Sequence, residues 1–354
     1  MESDNPLVSV VIPSFNREEF INDTILSLQQ QSYFNWEAII VDDCSTDNTE
    51  QVVSAFIRGE PRARFLKRNR IPKGAPTCRN IGWIESKGDY VIFLDSDDLL
   101  APYCLEQRVK FLRDNPDLDF AVFPMLVFKE TPGDSNIFWN IQTDKDDLHR
   151  FLDFDAPWQT SCPIWKIEAL RAISGWDEEA LTWQDWEIHI KALVNQLKYK
   201  KSNSLPDCFL RRDEKEGRIS SGDNADSRFM SRIKTFNKTY LIVKEKQLLD
   251  DKMKALFAKL YFTNAEKAAL LGKSSVVYSF VEAIQERNLS MGLMITYVKL
   301  LLAISKSKIP FALSIAYKTL RTILPISLTQ IQSNLFKHEL KPEEQKRVLA
   351  LLKD

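Results

Sequence analysis

The sequence predicts an α/β protein with a mostly parallel central sheet flanked by helices, followed by an all-helical C-terminal region. Three observations carry this prediction. Short β-branched or aromatic runs alternate with amphipathic stretches through about residue 115. Each of the strong runs ends in a cluster of polar residues, and beyond residue 226 the apolar residues recur only at helical spacing.

Leu7–Ile12 opens the alternation and Pro13-Ser14 ends it. Phe20, Ile21, Ile25 and Leu28 then mark a helical face. Ala38–Val41 is a second strand, ending in Asp42-Asp43, and Val52, Val53, Phe56 and Ile57 make the next helix. Phe65-Leu66 is a weak third strand. Asn80 to Ser86 reads as helix, Tyr90–Leu94 as a strongly buried strand, and a helix follows from about Pro102. Strands separated by helices pair in parallel through right-handed crossovers, and the ligand of such a sheet lies at the carboxyl ends of its strands. Three polar clusters, Pro13–Arg17, Asp42–Asp47 and Asp95–Asp98, are expected to converge on one crevice.

Composition narrows the chemistry. With 44% hydrophobic and 27% charged residues in 354, the chain is neither disordered nor fibrous. Five dispersed cysteines without a C-x-x-C pair argue against a disulfide framework or a cysteine zinc site. Only three histidines are present, so proton transfer and metal ligation fall largely to carboxylates. Ten glycines, no G-x-G-x-x-G after the first strand and no P-loop lysine exclude a dinucleotide dehydrogenase or P-loop site. No secretory leader and no uncharged run of about twenty residues are visible, which leads to an expectation of a cytoplasmic protein.

Asp95-Ser96-Asp97-Asp98 follows a strand directly. Carboxylates this close repel one another unless a divalent cation, Mn²⁺ or Mg²⁺, binds between them. The alternative is a solvated turn with Asp98 capping the next helix. The Asp42–Asp47 cluster is open to two readings of its own: an ordinary turn with a helix cap, or a buried carboxylate, Asp42 or Asp43, that accepts a hydrogen bond from a base.

VSVVIPSFNR, IIVDDCSTDNT and RNIGWIESKGDYVIFLDSDD, in this order and spacing, resemble a family 2 glycosyltransferase of GT-A fold across roughly residues 7–225. The resemblance implies a nucleotide-diphosphate sugar donor, most often a UDP-sugar, a divalent metal, and inverting transfer to an acceptor hydroxyl. It places Pro13, Ser14 and Phe15 in the nucleotide pocket with Arg17 beside them, and Asp43 on the base with Asp42 in support. Asp95 and Ser96 fall in the ribose or metal region, Asp97 on the metal, and Lys73 and Arg79 near phosphate. For Arg79 a surface salt bridge is the other reading.

The segment Gly175-Trp176-Asp177-Glu178 and Thr182–Glu187 is similar to the family's acceptor-side motif, which puts the general base on Asp185. Gln184 stands where Glu is common. Trp183 and Trp186 would desolvate Asp185 and offer ring faces to a sugar; otherwise Asp185 simply caps the following helix, with Glu187 as the fallback base. Arg211 and Arg218 match a late family segment in which Asp213 replaces a frequent His. Either arginine reaches the departing diphosphate or belongs to a bland basic loop. The processive synthases' Gln-x-x-Arg-Trp is absent, so one sugar per binding event is expected. A non-catalytic nucleotide-sugar binding module and a sugar-nucleotide nucleotidyltransferase are the rival functions.

The domain organisation read from this is a catalytic unit over 1–225, divided near 115 into nucleotide and acceptor halves, and a basic helical unit over 226–354. Charge follows the division: residues 1–225 hold 26 Lys+Arg against 38 Asp+Glu, and residues 226–354 hold 22 against 11. No acid lies between Arg287 and His338. Ile309, Leu313, Ala316, Leu320 and Leu324 form one stripe, preceded by the apolar segment Leu293–Ile304. This reads as an interface with an anionic membrane, apolar side down, serving a glycan or lipid-linked acceptor on the cytoplasmic face; the alternative is a bundle packed on the catalytic unit. Nucleic-acid motifs are lacking.

Overall fold

Four apolar runs become four adjacent parallel strands: β1 (Val8–Ser14), β2 (Trp36–Asp42), β3 (Ala63–Lys67) and β4 (Tyr90–Phe93). The computed structural model describes residues 5–212, 225–289, 292–307, 310–322, 324 and 333–352. Helices α1 (Ile21–Gln29), α2 (Thr49–Gly59) and α3 (Ala75–Ile84) connect these strands. Every residue of β1 and β2 is buried, as central strands covered on both faces require. Gly82 lets α3 approach closely, since a Cβ there would lie 2.2 Å from Val11 Cγ1.

Strand order β3-β2-β1-β4 means that the chain moves outward twice and then returns to the other side of β1. The crevice opens at that reversal, beyond the carboxyl ends of β1 and β4. Ser14 pairs with Asp42 at the end of β1 and β2, and the Leu94 amide donates to the Val11 carbonyl at 3.0 Å.

Parallel pairing does not continue. The seven-stranded sheet goes on from β4 to β8 (Pro163–Lys166), β6 (Phe120–Val122) and β9 (Tyr199–Lys201), with β8 antiparallel to both neighbours. A small second sheet, β5 (Leu99–Leu100), β10 (Cys208–Arg211) and β7 (Met125–Phe128), lies beside it. The helices of this half are α4 (Cys104–Arg113), α5 (Asp147–Leu152), α6 (Ile167–Ala172) and α7 (Gln184–Val194).

The later helices are α8 (Asp226–Glu245), α9 (Asp251–Leu270), α10 (Ser274–Glu286), α11 (Gly292–Lys306), α12 (Pro310–Arg321) and α13 (Pro342–Leu351). The apolar faces of α8 to α12 join the main sheet's hydrophobic cluster, whereas Val348 of α13 packs in a separate cluster with Leu99, Leu126, Phe128 and Phe209 of the second sheet. Phe236 of α8 stacks near both Trp183 and Trp186, each at 5.4 Å between ring centroids. Lys238 pairs with Asp177 at 2.8 Å and Glu179 at 2.9 Å, and Lys259 pairs with Asp153. Part of the charge asymmetry is therefore spent at this joint.

The apolar stripe expected to face a membrane is turned inward instead. Leu313 and Leu320 pack against the core cluster and Leu324 is buried, while Ile309 lies outside the described residues. Along Leu293–Ile304, Met294, Tyr297, Val298, Leu301 and Leu302 are buried. Among the described residues no helix is long and apolar enough to cross a membrane.

Candidate active site

The three strand-end clusters do meet. The Asn16 amide donates to Ser45 Oγ at 2.9 Å, and Asn16 Oδ1 accepts from the Thr46 amide at 2.8 Å, lacing the first cluster to the second. Arg17 Nε lies 4.0 Å from Asp97 Oδ2, which links the first to the third. Pro13 and Ser14 are buried at the end of β1, with Ser14 Oγ buried and unpartnered, whereas Phe15 is 44% exposed at the crevice mouth.

Asp42 and Asp43 point to different tasks. Asp42 accepts from the Ser45 amide at 2.8 Å and from its hydroxyl, closing a turn on itself. Asp43 is paired with Arg68, which follows β3. Arg68 was missed from sequence, although the strand-end rule applied to the third strand would have named it. Lys73 is exposed on the loop before α3.

Asp95-Ser96-Asp97-Asp98 is not a three-carboxylate cage. Asp98 is fully buried and accepts from the Arg211 amide at 3.1 Å and from Ser161 Oγ at 3.4 Å. Asp95 is held by Arg79 Nη2 at 2.7 Å and Gln159 Nε2 at 3.3 Å. Ser96 is buried. Among the described residues no group of three or more His, Cys, Asp or Glu converges on a metal-sized position. The donor set that remains, one partly exposed Asp97 carboxylate beside Arg17 with Asp95 two residues away, fits a hard cation that takes most of its oxygens from a diphosphate and water.

Arg79 departs from the surface salt bridge considered for it. Its side chain is 6% exposed; besides Asp95 it bonds Gln184 Oε1 at 2.9 Å and lies 4.4 Å from the centre of the Trp176 ring. Its neighbour Asn80 fixes the acceptor half: Asn80 Nδ2 donates to the Trp176 carbonyl and to Glu178 Oε1, each at 2.9 Å, and its Oδ1 accepts from the Trp176 amide. Gly175, at φ +58°, is required there, because a Cβ would lie 2.6 Å from Asn80 Oδ1.

Asp185 sits in the first turn of α7, not at its cap. Trp183 occupies the capping position in a left-handed conformation, φ 59° and ψ 36°, and offers no side-chain cap. Burial pushes the Asp185 carboxyl above its ordinary value of 3.8, helped by Asp95 and opposed by the Trp186 amide and Arg79. Glu187 is raised by burial too, but it is tied to Lys191 at 3.1 Å and accepts from the Asp177 amide. His189 is buried among Phe151, Trp158 and Trp165; burial drives its pKa down to about 3, which leaves it neutral and outside acid–base exchange near neutral pH.

One tryptophan reading and one arginine reading change. Trp186 is buried and donates to the Phe151 carbonyl at 2.9 Å, so its ring packs in the core and cannot face a sugar. Trp183 packs on Trp186, Phe154 and Phe236 with part of its ring exposed. Arg211 is 7% exposed and bonds Asp23 at 2.9 Å and the Asp97 carbonyl at 3.0 Å, which makes it a brace of the Asp97 loop rather than an open diphosphate contact. Arg218 and Asp213 lie outside the described residues.

Comparison with known proteins then decides the family. Residues 9–162 match the family model described as Glycosyl transferase family 2. This segment is a family 2 glycosyltransferase domain. The family 2 domain holds β1 to β4 and the Asp95–Asp98 loop, while Asp185 lies beyond the matched residues. A putative teichuronic acid biosynthesis glycosyltransferase of Bacillus subtilis is 37% identical over 135 residues, 37% of this chain and 52% of that protein. A UDP-Glc:alpha-D-GlcNAc-diphosphoundecaprenol beta-1,3-glucosyltransferase of Escherichia coli is 38% identical over 112 residues, 32% of this chain and 43% of that one. The chain thus spans about half the length, or less, of these curated relatives. Among solved structures, TarS 1–349 of S. aureus in complex with UDP-GlcNAc has a TM-score of 0.64 at 18% identity, covering 89% of this chain and 91% of that one. That likeness shows a shared GT-A fold, and its coverage reaches beyond the sheet into the C-terminal helical region.

Proposed function

We propose that the chain is an inverting glycosyltransferase that moves one sugar per binding event from a nucleotide-diphosphate sugar, a UDP-sugar by preference, to a hydroxyl of a glycan or lipid-linked glycan in polysaccharide assembly. The single observation that carries this reading is Asp185: a carboxylate raised by burial, on a rigid helix start, coupled through Gln184 and Arg79 to the Asp95 loop.

In this reading residues 1–225 are the catalytic unit, and its nucleotide half binds the donor at Pro13–Arg17, Asp43 and Asp95, with Lys73 reaching toward phosphate. Asp185 takes the proton of the acceptor hydroxyl as its oxygen bonds to the anomeric carbon from the face opposite the diphosphate. The bond from that carbon to the diphosphate breaks, and the nucleoside diphosphate leaves with the electron pair. Asp97 is the residue that would hold Mn²⁺ or Mg²⁺, and the bound ion would supply charge neutralisation on the leaving diphosphate. Arg79 keeps Asp95 fixed and moderates the charge beside Asp185.

A peripheral position on an anionic membrane is a second proposal. It rests on the outward faces of α11 and α12, where Leu293, Leu300 and Ile315 are 55%, 43% and 51% exposed alongside Lys299 and Lys318.

The test of function is nucleoside diphosphate release from a panel of UDP-, GDP- and dTDP-sugars with Mn²⁺. Release from one donor with inverted anomeric configuration in the product, read by proton NMR, is expected. Nucleotide binding without release from any donor or acceptor would mean a binding module instead, and retained configuration would overturn the mechanism.

A further inference from the structure

We propose that helix α8 belongs to the catalytic apparatus: Ser231, Arg232 and Lys238 are positioning residues that hold the loop over 177–183 and so aim Asp185. The inference rests on the glycosyl-transfer reading above and deepens it, because the machinery then extends past residue 225.

The turn that opens α7 needs support from outside. Trp183 occupies the left-handed region, at φ 59° and ψ 36°, and its side chain makes no capping hydrogen bond. Glycine takes this conformation freely and asparagine readily, whereas a bulky or β-branched residue is crowded in it. Such a conformation persists only where the surroundings over-determine it. Neither flanking residue, Thr182 or Gln184, relieves it as a glycine would. Asp185 comes two residues later, so this turn decides where the helix starts and where that carboxylate lies.

Helix α8 supplies the support along the whole loop. Lys238 Nζ bonds Asp177 at 2.8 Å and Glu179 at 2.9 Å. Ser231 Oγ donates to the Glu179 carbonyl at 3.2 Å and accepts from the Leu181 amide at 2.9 Å. Arg232 Nε donates to Thr182 Oγ1 at 3.3 Å, and its guanidinium lies 5.6 Å from the centre of the Trp183 ring. That ring packs on Phe236 as well. Residues 177, 179, 181, 182 and 183 are thus all gripped by one helix. Ser231 and Arg232 are buried, so water does not substitute for these bonds.

The grip reaches α7 from both ends of the loop. The Asp177 amide donates to Glu187 at 3.3 Å, two residues beyond Asp185, while Gln184 is held from the other side by Arg79. Arg232 Nη1 also bonds Asn264 of α9 at 3.3 Å, which anchors α8 within the helical region. A general base must lie within hydrogen-bond reach of the hydroxyl it deprotonates, and a small misplacement costs turnover. The contribution of α8 therefore falls on kcat and not on donor binding, which is assigned to the ends of β1, β2 and β4.

The experiment uses full-length protein and the UDP-, GDP- or dTDP-sugar that the wild type hydrolyses with Mn²⁺. Ser231→Ala should lower kcat for hydrolysis about ten-fold, with donor affinity and the number of donor sites by calorimetry equal to those of the wild type. Placed in Asp185→Asn, the same substitution should cost nothing further, because a residue that acts through the base has no effect once the base is gone. Trp183→Asn and Trp183→Val both lose the ring but differ in how readily they take the left-handed turn. The first should exceed the second in kcat by about ten-fold. If Ser231→Ala does not fold, this pair decides. Wild-type kcat in Ser231→Ala, a loss of equal size in both backgrounds, a matching fall in donor sites, or equal kcat in the two Trp183 variants would overturn the role of α8. Near-normal turnover in Asp185→Asn would instead overturn the base assignment and the positioning role with it. Absence of turnover of any donor by the wild type would overturn the transferase reading itself.

Discussion

Arg79 holds Asp95 and Gln184 at once, with Nη2 2.7 Å from Asp95 Oδ1 and Nη1 2.9 Å from Gln184 Oε1. One guanidinium thus connects the loop after β4 to the residue before Asp185. Its positive charge is also one of the influences that hold the raised Asp185 carboxyl down.

Replacing Arg79 by Gln should therefore move the pH profile in a defined direction. A base works deprotonated, so activity falls as pH drops through its pKa. Losing a nearby cation raises that pKa further, and the acid limb of kcat/KM shifts to higher pH. The donor KM should rise as well, because Asp95 loses its anchor. A limb that stays in place would separate Arg79 from Asp185.

Asp97→Asn should weaken donor binding only where the cation contributes. Calorimetric titration of the nucleotide sugar with and without Mn²⁺ is expected to show a metal-dependent gain in the wild type that the variant loses. An equal gain in both would remove Asp97 from the metal site.

Asp207 and Arg108 form a pair whose two side chains are both 0% exposed, with Nη2 to Oδ1 at 2.6 Å. Asp207→Ala leaves a buried guanidinium unmatched, and a loss of about 3–5 kcal/mol is expected. Thermal melting would show it as a large fall in Tm, and an unchanged Tm would contradict the burial of this pair.

How much of this was legible in the sequence depended on distance along the chain. The strands β1 to β4 announced themselves because buried parallel strands are continuous apolar runs, and their polar ends located the crevice. The second sheet did not, because β5 has two residues and β10 and β7 have four each, too short for a period to show. Arg108 and Asp207 are 99 residues apart, and no local pattern links them. The divergence of Asp95, Asp97 and Asp98 was hidden as well, since it is set by Arg79, Ser161 and Arg211 reaching in from elsewhere. The stripe of Leu313, Leu320 and Leu324 was visible, but amphipathicity names an apolar face without naming what covers it.

For the same reason, ending the chain near Ser227 is a poor probe of membrane binding, because it strips Phe236 from Trp183 and Trp186. Lys299→Glu with Lys318→Glu keeps the packing and reverses the charge on the outward faces. The affinity of the wild type for anionic liposomes, read by co-sedimentation, should drop by roughly 30-fold or more in the double variant, at about 1 kcal/mol per basic residue near the surface. Equal sedimentation would leave the helices a purely structural role.

The most direct test is Asp185→Asn, followed by two readings on the same protein. Donor affinity should equal that of the wild type, and nucleoside diphosphate release during transfer should fall by roughly 10²–10⁴-fold, the usual contribution of a general base. Near-normal turnover in Asp185→Asn would contradict the assignment of this carboxylate as the base.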